Sequence, residues 1–229
     1  KGTQFVGLSD FTALQCGLLA QTGAITWAGP ALCEGFGVAG EPDDIMTACF
    51  DDLLLGQGEG AGWRQLPPAK TADAGNATES IAKNPTTTRP GASFSIKKST
   101  LWGGNLAVLT ALLGSPYFPQ VKGGVLFLED LGEHPYRVER MLTQLLHAGV
   151  LAQQKAVLIG QFSKYKLVPA HDKGFKLATV VDWLRSQIKA PVLTGLPFGH
   201  VETKVLLPVG AKVDLVTEGR DALMVWGHI

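Results

Sequence analysis

A chain of 229 residues with 20 basic and 20 acidic side chains has no formal net charge, so it lacks the long-range field that draws proteins onto nucleic acid or anionic membranes. Neither a nucleic acid nor a membrane is expected as its partner. With 45% hydrophobic and 17% charged residues it is too apolar to be disordered, long enough for a large core, and without any apolar run near the ~18–20 residues of a membrane span.

Gln4 to Gly7 reads as a strand running straight into a turn. Phe11, Leu14, Leu18 and Leu19 recur at helical spacing between Asp10 and Ala20, and Gly23 closes that helix. Ile25 to Trp27 is a second short strand. Pro42 to Leu55 is a helix with proline at its start and two acids in its first turn. Cys16, Cys33 and Cys49 are odd in number and never paired in spacing. They read as small apolar fillers in a reducing compartment, not as a disulfide framework or zinc ligands.

From Gly56 to Lys98 the texture changes, with Gly56, Gly58, Gly60 and Gly62, then Pro67-Pro68, then a polar run through Pro90. This predicts a linker or a surface insertion. Gly56-Gln57-Gly58-Glu59-Gly60-Ala61 meets the loose dinucleotide pattern, but a helix-like acidic run precedes it and prolines follow. The strand before and helix after that such a site needs are missing, so no cofactor is assigned.

Apolar patterning returns at Leu101 to Asn105 and continues as a helical run from Leu106 to Leu113. Val125 to Leu128 is a continuous apolar strand, buried on both faces by its pattern, that ends at Glu129-Asp130. A helix (Pro135 to His147), a strand (Ala156 to Ile159), a helix (Leu177 to Ile188), a strand (Pro191 to Thr194) and a loop (Gly195 to His200) follow. Thr203 to Leu207, Lys212 to Val216 and Ala222 to Trp226 read as three closing strands, broken by Pro208-Val209-Gly210 and by Glu218 to Asp221. The expected fold is α/β: an incomplete N-terminal parallel-sheet domain over 1–55, the linker or insertion over 56–98, and a C-terminal mixed α/β domain with a β-rich end over 99–229.

Three positions carry chemistry, each with a plainer alternative. Ser9 sits where a buried strand turns into a helix, which fixes a hydroxyl and aims helix N–H groups at a ligand; the plain reading is a helix N-cap. The G-x-S-x-G pattern is not met, because Phe11 stands where the second glycine would be. Glu129 lies at the carboxyl end of an apolar strand, the edge where open α/β sheets bind ligands; it could instead cap the next turn or pair with Arg137 or Arg140. His200 ends a constrained loop that can present an imidazole, or it is simply solvated. His134, His147, His171 and His228 lie in loops or at element ends. The absence of any H-E-x-x-H leaves a metalloprotease without its ligand spacing, and no metal is assigned.

Four ordered motifs then fall into place together: G-L-S-D-F-T-A-L-Q at Gly7 to Gln15, L-W-G-G-N-L at Leu101 to Leu106, V-L-F-L-E-D-L-G-E-H-P-Y-R-V-E-R-M-L at Val125 to Leu142, and G-L-P-F-G-H at Gly195 to His200. They resemble the LD-carboxypeptidases, the murein tetrapeptide carboxypeptidases of bacterial cell-wall recycling, over nearly the whole chain outside 56–98. The resemblance implies a metal-free serine peptidase in which Ser9 is the nucleophile, Glu129 and His200 complete the triad, and the Asp10 N–H binds the oxyanion. It implies murein tetrapeptide as substrate, with terminal D-alanine released and the regions of Asn105 and Arg137 as contacts for its carboxylates. It also implies a cytoplasmic enzyme, or a periplasmic one, the family's N-terminal stretch being absent here.

In that family a longer α/β stretch with an Arg-Gly-Gly-Tyr-Gly-like loop precedes the G-x-S-D turn, whereas here only Lys1 to Val6 do. The chain is therefore expected to be the C-terminal part of the enzyme. A missing N-terminal segment or a homodimer would complete it, and a chain starting at Lys1 alone would be prone to associate and nearly inactive. Two other functions fit the same motifs: a relative that cleaves a peptide-nucleotide antibiotic and so confers immunity, which needs an aromatic shelf for a base, and a catalytically dead murein-binding fragment.

Overall fold

The computed structural model describes residues 2–67 and 92–229, and its strands fall into two sheets. In chain order the elements are β1 (Val6–Gly7), α1 (Phe11–Thr22), β2 (Thr26–Ala28), a π-helical turn (Leu32–Phe36), α2 (Asp44–Leu55), β3 (Gly60–Arg64), β4 (Phe94–Asn105), α3 (Leu106–Ala111), β5 (Val125–Leu131), α4 (Pro135–His147), a 3-10 turn (Leu151–Gln153), β6 (Ala156–Ser163), α5 (Pro169–Asp172), α6 (Leu177–Gln187), β7 (Val192–Thr194), β8 (Leu207–Val209), β9 (Lys212–Glu218) and β10 (Asp221–Val225). The smaller sheet has the order β1-β2-β8 and the larger β3-β10-β9-β4-β5-β6-β7. The mixed α/β class expected from the sequence is the one found.

The larger sheet is built in two halves that share β4. Over Phe94 to Thr100 this strand pairs antiparallel with β9, with a shift of register between Ile96 and Ser99; over Leu101 to Asn105 it pairs in parallel with β5. β5, β6 and β7 continue the parallel half, so the carboxyl ends of β4, β5, β6 and β7 lie along one edge. Side chains alternate across this half because successive strand residues point to opposite faces. Leu126 and Leu128 of β5 join Val157, Ile159 and the helix residues Leu109, Leu142 and Leu184 in one core, whereas Val125 and Phe127 join Leu158, Leu193, Phe198 and Leu215 in the other. Burial of each such side chain contributes roughly 1.5–3 kcal/mol.

Local signals set the helix ends. Gly23 closes α1 in the left-handed region and donates its N–H to Leu19 O. The Asp43 carboxylate caps α2 by accepting the Met46 N–H at 2.8 Å, and Pro135 opens α4 at its first turn.

Three expectations are corrected. The stretch read as a linker or a surface insertion over 56–98 is not a plain linker, since it contains β3 and the start of β4; its residues 68–91 lie outside the described ones. β3 is a strand because it pairs with β10 along its length, burying Ala61 and Trp63 on one face. The strand expected at Thr203 to Leu207 lies instead at Leu207–Val209 and includes Pro208; among the described residues β8 pairs on one side only, with β2, and an edge strand accommodates a residue without an N–H. Of the three cysteines only Cys16 is a buried filler, its thiol pushed up to about 12 by burial, whereas Cys33 is exposed and Cys49 half-buried.

Candidate active site

β1 ends at Gly7, and the chain turns through Leu8 and Ser9 before α1 begins. Ser9 has a φ of 64°, the left-handed region that costs a non-glycine residue about 1–3 kcal/mol. The turn is fixed by the Phe11 N–H donating to Leu8 O at 3.3 Å and the Thr12 N–H donating to Ser9 O at 2.9 Å. The N-cap position of α1 falls on Asp10, with no side-chain cap bond. The plain reading of Ser9 as the capping residue therefore does not hold. A strained serine between a strand and a helix is the conformation that holds a hydroxyl clear of the backbone.

Glu129 and Asp130 come from the carboxyl end of β5, where the register with β6 shifts between Leu128 and Asp130. Such a bulge re-aims side chains. Both carboxylates are buried, and one amide holds them. Asn105 Nδ2, at the end of the neighbouring strand, donates to Glu129 Oε1 at 3.2 Å and to Asp130 Oδ1 at 2.9 Å. Asp130 also accepts the N–H groups of Ala107 at 3.0 Å and Leu131 at 2.8 Å. Burial nonetheless raises its pKa above the ordinary aspartate value, against those hydrogen bonds.

His200 is brought over Glu129 by the loop that follows β7. Phe198 packs edge-on against Phe127, with ring centroids 5.4 Å apart, and its carbonyl accepts the Gln161 N–H at 2.8 Å. Gly199 has a φ of 141°, and a Cβ there would lie 2.8 Å from Gln161 O and 3.4 Å from Glu129 Cβ, so no side chain fits between the loop and the carboxylate. His200 Nδ1 lies 2.8 Å from Glu129 Oε2. The carboxylate can only accept, so the Nδ1 proton points at it and Nε2 is left as the basic nitrogen. The hydrogen bond to Glu129 raises the His200 pKa above the ordinary imidazole value, and burial works against that rise.

His200 also borders a cavity of about 510 Å³ lined by Glu34, Lys164, Val201, Glu202 and Lys204. The loop beyond it is tied to α2, because Thr203 Oγ1 donates to Asp43 Oδ2 at 2.6 Å. Asp43 is thereby held below the ordinary aspartate pKa.

The sequence-based candidates separate clearly. Glu129 and His200 meet directly, and neither plain alternative survives: Glu129 binds no arginine among the described residues, and His200 is only 8% exposed. Ser9 is linked to the pair through Thr12, whose Oγ1 accepts the Asn105 N–H at 3.0 Å. The Asp10 N–H stands at the mouth of α1, outside the hydrogen bonds that fix the turn. Asn105, expected as a substrate contact, instead has both amide hydrogens on carboxylates and its Oδ1 on the Val108 N–H. Arg137 is exposed and ion-paired with Glu133, which lies just before α4; it does not line the His200 cavity. Thr12, Asp130 and Lys204 were missed by the sequence reading. The one available signal was a lysine inside the apolar run Thr203 to Leu207.

The chain is similar to several known proteins. A family model described as LD-carboxypeptidase C-terminal domain matches residues 98–215. A probable murein peptide carboxypeptidase of Bacillus subtilis (strain 168) is 29% identical over 223 residues, covering 96% of this chain and 62% of that protein. The microcin C7 self-immunity protein MccF of Escherichia coli is 29% identical over 213 residues, covering 91% of this chain and 61% of that protein. The chain thus spans under two thirds of the length of these relatives. Among solved structures, muramoyltetrapeptide carboxypeptidase from Oxalobacter formigenes matches with a TM-score of 0.82 and 36% identity, over 99% of this chain and 69% of that one.

Proposed function

Because this chain belongs to the LD-carboxypeptidase family, we propose that it is the catalytic part of a serine peptidase that removes the terminal D-alanine of murein tetrapeptide in cell-wall recycling. The observation that carries the reading is the buried His200–Glu129 hydrogen bond of 2.8 Å at the carboxyl edge of the parallel strands. In this reading His200 Nε2 takes the proton of Ser9 Oγ as the oxygen attacks the carbonyl of the L,D peptide bond. Glu129 holds the ring in the right tautomer and stabilises the imidazolium.

The Asp10 N–H, at the N-terminus of α1, donates to the developing oxyanion. His200 then gives its proton to the amine of D-alanine, which leaves, and water clears the acyl-enzyme through the same base. Asn105 and Asp130 act behind this set. Asn105 keeps Glu129 in place, and Asp130 anchors Asn105 and the start of α3.

The resemblance to MccF supports a second reading, in which the substrate is a peptide-nucleotide antibiotic. The cavity beside His200 favours the first, since the described residues that line it are charged or aliphatic apart from His200 itself and include no aromatic shelf for a base. Mass spectrometry of full-length protein incubated with murein tetrapeptide and, separately, with a peptidyl-adenylate tests both. D-alanine release that Ser9→Ala reduces by several orders of magnitude, with tetrapeptide binding retained, is the expected result. Binding without release by the wild type would leave a dead murein-binding protein instead.

A further inference from the structure

Lys204 is 1% exposed, yet its side chain lines the same cavity as His200 and forms no ion pair or hydrogen bond with any described residue. With the stem packed away, the ammonium faces the cavity with no partner among the described residues, an arrangement that a ligand's counter-charge would stabilise. The acids around it are poorly placed to do so. Glu34 and Glu202 are exposed to water at the cavity, Asp43 is engaged by Thr203 and the α2 N-terminus, and Glu129 is engaged by His200 and Asn105. Burial draws the lysine pKa down, and these four acids, led by Glu34, hold it up.

The chemistry of the proposed reaction says which anion belongs there. His200 must protonate the leaving amine, and in a C-terminal amino acid the carboxylate carbon is only two bonds from that nitrogen. The carboxylate of the leaving residue therefore has to lie within a few ångströms of His200, in the cavity that Lys204 borders.

We propose that Lys204 is the residue that recognises the free C-terminal carboxylate of the substrate, and so makes the enzyme remove a single terminal residue and not cut within longer peptides. This rests on the peptidase reading above. A chain that continued past the scissile bond would bring a neutral amide to the lysine and leave its charge unpaired, whereas a free carboxylate forms a charge-assisted hydrogen bond away from bulk water. Glu34 and Glu202 at the cavity's wet side would disfavour a second negative group farther out.

The test measures binding apart from chemistry. Full-length protein carrying Ser9→Ala is titrated calorimetrically with murein tetrapeptide and with the same peptide as its C-terminal amide, with Lys204 intact and as Lys204→Met, Lys204→Gln and Lys204→Arg. The free acid should bind the Lys204 protein about 100-fold more tightly than the amide, the scale of one partner lost from a buried charge pair. Met and Gln should erase that preference by weakening the acid alone, and Arg should restore part of it. Either neutral variant, whichever folds with a wild-type melting profile, decides the point. An acid-to-amide ratio unchanged by these substitutions overturns the proposal, and Lys204 then only balances the acids near it. A Lys204-dependent preference in a protein whose wild type releases no D-alanine would uphold the carboxylate site while sinking the peptidase reading.

Discussion

Thr12 Oγ1 accepts the N–H of Asn105 at 3.0 Å, although the two residues are 93 positions apart. The contact joins the helix that follows Ser9 to the strand end that holds Glu129. It depends on Gly104, where a Cβ would come within 2.5 Å of the same hydroxyl oxygen, so only glycine lets α1 approach β4 this closely.

Thr12→Val tests that joint. The valine is nearly isosteric but leaves the buried Asn105 N–H without an acceptor, which costs about 1–3 kcal/mol. Chemical denaturation should show a loss in that range. D-alanine release should fall more than binding does, because the loss loosens the approach of Ser9 to the His200–Glu129 pair. A variant as stable and active as wild type would mean that the joint does not position Ser9.

Glu129→Gln and Asp130→Asn separate two adjacent buried carboxylates. Only the first touches His200, so Gln at 129 should lower kcat by several orders of magnitude through loss of imidazolium stabilisation and of the tautomer. Asn at 130 should act mainly on stability, through Asn105 and the start of α3. Steady-state kinetics beside thermal melts on both variants reads this directly; the reverse pattern would transfer the orienting role to Asp130.

The raised His200 pKa gives two pH dependences. As a base His200 must be neutral, so kcat/KM should rise with pH along a limb whose midpoint lies above the ~6.5 of a free imidazole, and Glu129→Gln should move that midpoint down in any residual activity. The same shift acts on stability in the opposite sense. The charged His200–Glu129 pair adds stability that is fully present below the unfolded pKa of ~6.5 and is lost as pH rises through the raised folded value. Melting curves across pH 5 to 9 should show the stability advantage of wild type over His200→Gln largest at the acid end and shrinking as pH rises through that window.

Gly199→Ala should be disproportionately harmful for one methyl group. Its φ of 141° is closed to alanine, and the added carbon would press on Gln161 O. The relief available is to move the loop, which carries His200 away from Glu129. Activity should fall at least tenfold with the fold retained by circular dichroism, and normal kinetics would show that the loop has room the structure does not reveal.

Much of the parallel half was legible in the amino-acid order alone. Val125 to Leu128, Ala156 to Ile159 and the helices Pro135–His147 and Leu177–Gln187 announce themselves, because period and end signals are local and neighbouring strands of the parallel half follow one another in sequence. β3 did not, since Gly60 and Gly62 hide the alternation of Ala61 and Trp63 and its partner β10 lies about 160 residues downstream. Among the candidate residues, Ser9, Glu129 and His200 were singled out by strand and loop ends and joined by family resemblance, but whether they capped, paired with arginine or faced water depended on contacts that sequence spacing cannot express. The structure decided those for Glu129 and His200, and it reassigned Asn105 from substrate to carboxylate support. It alone exposed Lys204 as a buried cation, because burial belongs to the packed chain and a single lysine in an apolar run has no period to betray it.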